Sequence, residues 1–177
     1  IRDSSVTGVQ TCALPICKVG KIAFTGSTTT AKKVAETCAK SMTPVVLECG
    51  GKDPVLVDRD ADLELAAEYT TWSAMSNAGQ SCIGAERVYV HQDVAEQFIN
   101  LVVRNAKTLK PGKNYGAMTM PKQIEVVRRH VTDAINSGAK AMLGGVESVG
   151  DRFIEPVVLV DVSEFSTAMT EETFEIG

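Results

Sequence analysis

The residue of this chain best suited to covalent chemistry is Cys82. It lies in the small-residue stretch Gln80–Gly84, which follows a helix-length amphipathic run and precedes a strand-like run. A thiolate is a strong nucleophile, but an ordinary cysteine has a pKa of about 8.5 and needs a neighbouring group to react at neutral pH. A short connection of small residues could present the sulfur to a cavity, whereas a lone cysteine is more often buried and inert. Other motifs must therefore distinguish a nucleophile from a core residue.

Two segments upstream of Cys82 contain groups that could assist it. Glu48 lies in Leu47–Lys52, where its carboxylate could serve as a general base. Earlier, Phe24–Thr28 joins a predicted strand to a predicted helix, and a small-residue turn at such a junction can bring backbone N–H groups to a phosphate. Taken singly, each segment also has a purely structural interpretation, as a turn in the first case and a helix start in the second.

In this order and spacing, the three motifs resemble those of the NAD(P)-dependent aldehyde dehydrogenase superfamily. The resemblance runs from about residue 19 to residue 174, nearly the whole chain, and the combination of the Glu48 and Cys82 motifs is highly specific. Three further segments match the family, namely Asp58–Leu63, Glu86–Val90 and Glu171–Phe174.

The resemblance implies an oxidoreductase that converts an aldehyde to a carboxylic acid with NAD or NADP. In that family a cysteine thiolate adds to the aldehyde, hydride leaves to the nicotinamide, and water hydrolyses the resulting thioester. Cys82 matches the nucleophile, and its main-chain N–H is expected to donate to the oxyanion. Glu48 matches the general base. Coenzyme-A-acylating relatives generally lack this glutamate, so its presence favours formation of a free acid.

The resemblance also implies five cofactor-binding residues: two at a pyrophosphate turn, one beside the nicotinamide and two at the nicotinamide ribose. In chain order they are Gly26, Ser27, Gly50, Glu172 and Phe174. The chain departs from the family pattern at several positions, two of which lie in these cofactor motifs. Ala31 stands where the turn has its second glycine, and Glu175–Ile176 stand where Gly–Pro usually follows.

The composition limits the classes of function. A hydrophobic content of 44% and a charged content of 23% are typical of soluble globular proteins, and no apolar run approaches the roughly 20 residues of a membrane span. The net charge of −4 comes without a basic block, so neither nucleic acid nor a membrane surface is an expected partner. The five cysteines form no Cys–x–x–Cys pair, which argues against a disulfide framework or a metal site and for the cytoplasm or another reducing compartment. The expected partners are an aldehyde substrate and, by the resemblance, further copies in a homo-oligomer.

Alternating strand and helix patterns predict an α/β fold class. Apolar runs predict strands near residues 21–25, 45–47, 55–57, 87–91, 139–143 and 157–160. Amphipathic spacing and capping residues predict helices near residues 27–41, 63–76, 94–105 and 121–137. Trp72 and Met75 are interpreted as core residues, and the two histidines, His91 and His130, as surface residues.

The family resemblance divides the chain into parts. Residues 18–48 resemble the end of a Rossmann-type dinucleotide-binding domain, and residues 49–177 resemble most of an α/β catalytic domain. Residues 1–17 do not match the family and lack the basic start and apolar centre of a signal peptide, so we interpret them as a non-native leader. The chain is thus expected to be a fragment of a longer enzyme.

Two other functions stay open at the level of sequence. The chain could be a catalytically inactive truncated fragment with at most a binding role, because the upstream cofactor strands of the family are absent from it. It could also be a cysteine hydrolase that pairs Cys82 with His91 or His130, although no Cys/His motif is recognisable. Thiol labelling that does not depend on a nucleotide would favour the hydrolase.

Overall fold

The computed structural model describes residues 19–174, and these divide into two compact units. The first unit ends at Gly50, and the second runs from Gly51 to Phe174. The predicted leader at residues 1–17 lies outside the described residues. The assignment of residues 18–48 to a cofactor domain and of residues 49–177 to a catalytic domain stays a prediction.

The first unit is a strand–helix–strand unit. Strand β1 (Ile22–Thr25) pairs in parallel with β2 (Val45–Glu48), and helix α1 (Thr28–Ala39) supplies the crossover that parallel strands require. The helix begins where predicted, because the Ser27 Oγ accepts a hydrogen bond from the Thr30 N–H at 3.3 Å. Strand β1 alternates between half-buried and exposed residues, so it is less buried than its apolar sequence predicts.

The second unit begins with a similar arrangement. Strand β3 (Asp53–Val57) pairs in parallel with β4 (Ala85–Val90), and helix α2 (Leu63–Met75) connects them. The sequence allows either Asp60 or Asp62 to cap α2, and the cap is Asp62, whose carboxylate accepts a hydrogen bond from the Leu65 N–H at 3.1 Å. The connection from α2 back to β4 carries Cys82, so this unit determines where the predicted nucleophile lies.

A small apolar core holds β3, β4 and the helices against each other. Helix α3 (Ala95–Ala106) contributes the buried side chains Phe98 and Val102, which pack against Val57 of β3 and Ala67 of α2. Removing a buried aromatic side chain from such a cluster typically costs about 3–5 kcal/mol. This packing therefore stabilises the framework from which the Cys82 connection projects.

The remaining elements build a second cluster. Helix α4 (Pro121–Asn136) has proline at its first position, where the missing N–H is not needed, and Gly138 after its end adopts a φ of 100°. Strands β5 (Lys140–Leu143) and β6 (Val158–Val160) pair antiparallel, and a one-turn helix α5 (Thr167–Thr170) follows. The second core cluster consists of Met118, Ile124, Val131 and Val149. The alternation of strands and helices confirms the predicted α/β class.

Three predicted burial assignments were wrong. Trp72 is 69% exposed, because α2 buries Ala67, Thr70 and Thr71 and the next residue points away from that face. The sequence also predicts that Met42 shares the apolar face of Val34 and Cys38, but Met42 is exposed, because α1 ends before it. His130 is only 3% exposed, although it was expected at the surface. Within residues 19–174, each helix is too short or too polar to cross a membrane.

Candidate active site

Cys82 lies on a tight turn between α2 and β4. The Gly84 N–H donates a hydrogen bond to the Ser81 carbonyl at 3.1 Å, and the Cys82 side chain is half-buried. Gly84 itself is buried, and a β-carbon placed there would lie 3.2 Å from the Ser81 carbonyl oxygen and 3.3 Å from that of Ser73. The glycine therefore allows the turn to pack directly on the end of α2.

The backbone leading to Cys82 is in an unusual conformation. Asn77, Ala78 and Gly79 all have positive φ angles, of 53°, 61° and 75°. A left-handed conformation costs a non-glycine residue roughly 1–2 kcal/mol, so this segment needs support from its surroundings. Gln80 provides some of it: its Nε2 donates to the Asn77 carbonyl at 2.9 Å, and its Oε1 accepts from the N–H and the hydroxyl of Thr119, both at 2.9 Å.

The Cys82 turn and the segment Gly51–Lys52 lie at the same edge of the β3–β4 pair. Each immediately precedes one of the two strands, and parallel strands begin at the same edge. The Arg87 guanidinium fastens this edge by donating to the Lys52 carbonyl, at 3.0 Å from Nε and 2.5 Å from Nη2. We call this the amino edge of the second unit.

The predicted ribose-contact motif reaches the same edge through Thr173. The Lys52 ammonium forms an ion pair with the Glu86 carboxylate and donates to the Thr173 Oγ1 at 2.7 Å. The Thr173 N–H in turn donates to the Glu86 Oε2 at 3.1 Å. Glu172 and Phe174 flank Thr173, the residue that contacts this ion pair, in the chain. Phe174 also lines a cavity of about 590 Å³ within the second unit.

Helix α4 supplies the remaining contacts of Thr173. Gln123 Nε2 donates to the Thr173 carbonyl, and the His130 Nδ1 lies 3.2 Å from the Thr173 Oγ1. Burial lowers the pKa of His130, and the nearby positive charges of Lys52 and Arg129 lower that pKa further. The Glu171 carboxylate, 3.6 Å from Nε2, acts in the opposite direction but with smaller effect, so the imidazole is held in its neutral form near pH 7.

Sequence reasoning missed Gln123 and His130 as part of this site. A usable signal exists, because Gln123, Val127, His130 and Ala134 recur at spacings of three and four, which places them on one face of α4. The structure shows that Gln123, His130 and Ala134 on this face are buried. A polar residue at such a position indicates a buried hydrogen-bonded site more often than a surface residue.

The first unit brings together two of the predicted site residues, Gly26 and Glu48. The Gly26 N–H donates to the Glu48 carbonyl at 3.1 Å, at the ends of β1 and β2. A β-carbon at Gly26 would lie 2.6 Å from Cζ of Phe24, so a larger residue there would require the Phe24 ring to shift. Ser27 is buried beside it at the start of α1, and the N-terminus of a helix suits a phosphate group. Ala31, in place of the family's second glycine, is fully accommodated in the interior.

Glu48 and Gly50 belong to the first unit, and Cys82, Glu172 and Phe174 belong to the second. The pairing of the Glu48 carboxylate with the Cys82 thiol stays a prediction from the sequence. Two other cysteines differ in setting, because Cys38 is buried and Cys49 is exposed. Within the described part of the chain, no cluster of three His, Cys, Asp or Glu side chains could hold a metal ion.

Comparison with known proteins identifies relatives of this chain. A model of the aldehyde dehydrogenase family matches residues 6–175. The D-glyceraldehyde dehydrogenase (NADP(+)) of Picrophilus torridus is 34% identical over 167 residues, which cover 89% of this chain and 34% of that protein. This chain therefore spans about a third of the length of that relative.

Solved structures give the same result for the fold. A succinate-semialdehyde dehydrogenase from Burkholderia pseudomallei superimposes with a TM-score of 0.89 at 32% identity, over 99% of this chain and 37% of that one. An indole-3-acetaldehyde dehydrogenase in complex with NAD+ superimposes with a TM-score of 0.81 at 30% identity, over 89% of this chain and 34% of that one. These matches confirm the predicted aldehyde-dehydrogenase-like fold. The chain belongs to the aldehyde dehydrogenase family.

Proposed function

We propose that the complete protein to which this chain belongs oxidises an aldehyde to a carboxylic acid with NAD+ or NADP+, using Cys82 as nucleophile and Glu48 as general base. The observation that carries the proposal is the family match over residues 6–175, because that range includes both motifs in their expected order. The half-buried turn that carries Cys82 supports it, since a nucleophile must reach a substrate.

The proposed chemistry uses the side chain and the main chain of Cys82. The thiolate attacks the aldehyde carbon, and the C=O electron pair moves onto oxygen to give a tetrahedral thiohemiacetal. The Cys82 N–H donates to this oxyanion, which it stabilises more than the planar carbonyl of the substrate. When bound, NAD(P)+ would supply the hydride acceptor needed to oxidise this thiohemiacetal to a thioester.

The second half of the reaction requires Glu48. Its carboxylate takes a proton from a water molecule, whose oxygen attacks the thioester carbon. The carbon–sulfur bond then breaks, the carboxylic acid leaves, and the Cys82 sulfur departs as the thiolate. A base at this position distinguishes hydrolysis from transfer of the acyl group to an external thiol.

The proposed cofactor contacts lie in both units. The N-terminal turn of α1, with Gly26 and Ser27, would hold the pyrophosphate through N–H groups and the helix dipole. Gly50 would let the chain pass the nicotinamide, and Glu172 and Phe174 would hold the nicotinamide ribose. The chemical character of these groups fits a dinucleotide, because they offer donors to its phosphates and an acceptor to its ribose hydroxyls. We also propose that the protein acts as a homo-oligomer, a dimer or tetramer, in the cytoplasm or another reducing compartment.

The contacts of the two histidines do not favour a cysteine hydrolase. His130 bonds to Thr173 and lies 3.6 Å from the Glu171 carboxylate, and His91 Nδ1 lies 3.7 Å from the Asp93 carboxylate. The inactive-fragment alternative concerns the chain on its own, and enzyme assays on the complete protein test it directly.

Aldehyde-dependent reduction of NAD+ and NADP+ by the complete protein tests the proposal. We expect turnover with at least one aldehyde and a loss of at least about 1,000-fold in kcat/KM for Cys82→Ala, because that variant lacks the nucleophile. Cys49→Ala is the matched control, since this cysteine is exposed and should be dispensable. Equal losses in the two variants, or no turnover by a folded protein with either nucleotide, would contradict the proposal.

Substitution of Glu48 tests the second half of the reaction. We expect Glu48→Gln to lower kcat by about 100-fold or more, because the amide cannot take the proton from water. An acyl adduct should then accumulate on Cys82 and be visible by mass spectrometry of the intact protein. An unchanged kcat, or slow turnover without an adduct, would show that Glu48 is not the base for deacylation.

A further inference from the structure

We propose that Lys52 and Glu86 form a positioning pair that holds Thr173, and through it Glu172 and Phe174, in the conformation that binds the nicotinamide ribose. The inference rests on the proposed function, because that function assigns Glu172 and Phe174 to the cofactor. Neither member of the pair is assigned to the reacting atoms, and both act through the backbone between the two contact residues.

The contacts of Thr173 are the first support. Its N–H donates to the two Glu86 carboxylate oxygens at 3.1 and 3.3 Å, and its Oγ1 accepts from the Lys52 ammonium at 2.7 Å. Its carbonyl accepts from Gln123, and His130 lies beside its hydroxyl. All three polar groups of one residue are thus engaged by side chains from separate segments. The backbone torsions on both sides of Thr173 are restricted as a consequence, and these torsions direct Glu172 and Phe174.

The burial of the ion pair is the second support. The Lys52 and Glu86 side chains are 10% and 14% exposed, whereas those of the Arg104–Glu64 pair are 57% and 66% exposed. An exposed ion pair contributes little to stability. Removing one partner of a buried pair is strongly destabilising, because it leaves the other charge buried without compensation. A change at Lys52 or Glu86 should therefore disturb the groups bonded to the pair, and Thr173 is one of these.

The position of the pair in the fold is the third support. Lys52 precedes β3 and Glu86 is the second residue of β4, so the pair lies at the amino edge, where the Cys82 turn also lies. Rigid strands position a site more accurately than loops do. Residues 171–174 have no regular secondary structure. The pair thus holds them in a fixed position relative to the β3–β4 sheet.

Calorimetric titration of the complete protein with NAD+ and with NADP+ tests the inference. The variants are Lys52→Met, Glu86→Gln and Glu172→Ala, with Arg104→Met as the control for loss of an ion pair. We expect Lys52→Met and Glu86→Gln each to raise the cofactor Kd by about 10-fold or more, as loss of a supporting residue around a binding site commonly does. The KM for aldehyde and the kcat at saturating cofactor should change less than the Kd does, and Arg104→Met should leave all three unchanged.

The double variant Lys52→Met with Glu172→Ala separates positioning from general stabilisation. If Lys52 acts through Glu172, the double variant should bind the cofactor little more weakly than Glu172→Ala alone, because the two effects share one path. Fully additive losses in Kd would overturn the inference. So would an unchanged Kd in Lys52→Met, even with a lowered unfolding temperature, because the pair would then serve stability alone. Should Lys52→Met fail to fold, Glu86→Gln keeps a hydrogen-bonding side chain of the same shape and decides the question.

Failure of the inference and failure of the proposed function have different signatures. If turnover depends on Cys82 but Lys52→Met and Glu86→Gln leave the cofactor Kd unchanged, the positioning role of the pair is contradicted and the proposed function stands. A Glu172→Ala variant that binds the cofactor normally removes the assigned cofactor contact, and the inference falls with it. Turnover that survives Cys82→Ala contradicts the proposed nucleophile and leaves the outcome of the titration intact.

Discussion

His130 illustrates how a single residue changes character on burial. A histidine in the sequence could equally be a surface residue, but its ring is enclosed between the Lys52 ammonium, the Arg129 guanidinium and Thr173. Burial first, and then the two positive charges, lower its pKa from the ordinary value of 6.5. The neutral ring is therefore part of the folded structure, and protonation works against folding.

The lowered pKa of His130 leads to a prediction about acid stability. Below about pH 6.5 the unfolded chain binds a proton at His130 that the folded chain resists, so stability falls as the pH falls through that value toward the folded pKa. The carboxyl groups of Asp133 and Glu171, whose pKa values are also lowered, lose their contribution only at more acid pH. We expect the unfolding temperature to fall between about pH 7.5 and 5.5 in the natural protein and to fall less in His130→Gln.

His91→Gln is the control for that measurement, because His91 is partly exposed and close to the Asp93 carboxylate. It should retain the pH dependence of the natural protein. An identical pH dependence in His130→Gln and the natural protein would show that protonation of other groups accounts for the loss of stability.

At the scale of elements, the connection from α2 to β4 is held by one of its own side chains, Gln80. Gln80 bonds to the Asn77 carbonyl and to Thr119, which precedes α4. These bonds stabilise the left-handed residues before Cys82, which would otherwise relax toward ordinary torsions. The turn at the predicted nucleophile is thus tied to the segment that precedes α4.

Replacing Gln80 tests this connection. Gln80→Met keeps the length of the side chain but removes the acceptor of the Thr119 N–H and hydroxyl and one of the two donors to the Asn77 carbonyl. A lost hydrogen bond of this kind typically costs about 0.5–1.5 kcal/mol. We expect a lower unfolding temperature and an altered rate of alkylation of Cys82, with Cys49 in the same sample as reference. Gln97→Met, on the exposed face of α3, should change neither. Unaltered alkylation of Cys82 would show that the turn keeps its geometry without Gln80.

Gly84 provides a second test of the same element. A methyl group there would press on the carbonyl oxygens of Ser81 and Ser73, at 3.2 and 3.3 Å, and overpacking of this kind typically costs about 1–3 kcal/mol. We expect Gly84→Ala to lower the unfolding temperature measurably. Gly116→Ala is the matched control, because the space around a β-carbon at that position is empty within 4 Å. Equal unfolding temperatures for the two variants would mean that the turn can shift away from α2.

At the scale of the whole molecule, the chain exposes many large apolar side chains. Phe165 is 94% exposed and Ile83, beside the predicted nucleophile, is 78% exposed. Other large side chains with most of their surface in solvent are Met42, Leu56, Tyr69 and Trp72. Exposed apolar surface of this extent is typical of regions that other protein segments cover or that lead to aggregation.

The exposed apolar residues predict the behaviour of residues 18–177 expressed alone. We expect this polypeptide to aggregate or to be only partly ordered, because water contact with these side chains is unfavourable and association removes it. Light scattering after size-exclusion chromatography measures this, and Trp72→Ser with Phe165→Ser should raise the soluble fraction more than the exposed Lys113→Ser does. A monomer that unfolds in one cooperative transition would contradict the expectation.

Local rules were enough to predict most elements from the sequence. Ser27 and Asp62 start their helices, and Pro121 opens α4, because capping and proline geometry depend only on residues a few positions away. The Cys82 and Glu48 motifs, with the segment Glu171–Phe174, were sufficient to indicate the family. Their roles as nucleophile, base and cofactor contacts stay predictions for the experiments above.

Only the tertiary structure decided which faces are buried and which distant residues meet. Trp72 points outward and His130 inward because the packing of whole helices, rather than the apolar character of one residue, selects the buried face. The contacts of Thr173 with Lys52 and Glu86 join positions 121 and 87 residues apart in the chain. The crossover from β3 to β4 brings Lys52 and Glu86 together, and the packing of residues 171–174 against this pair adds Thr173, a juxtaposition that no local pattern in the sequence encodes.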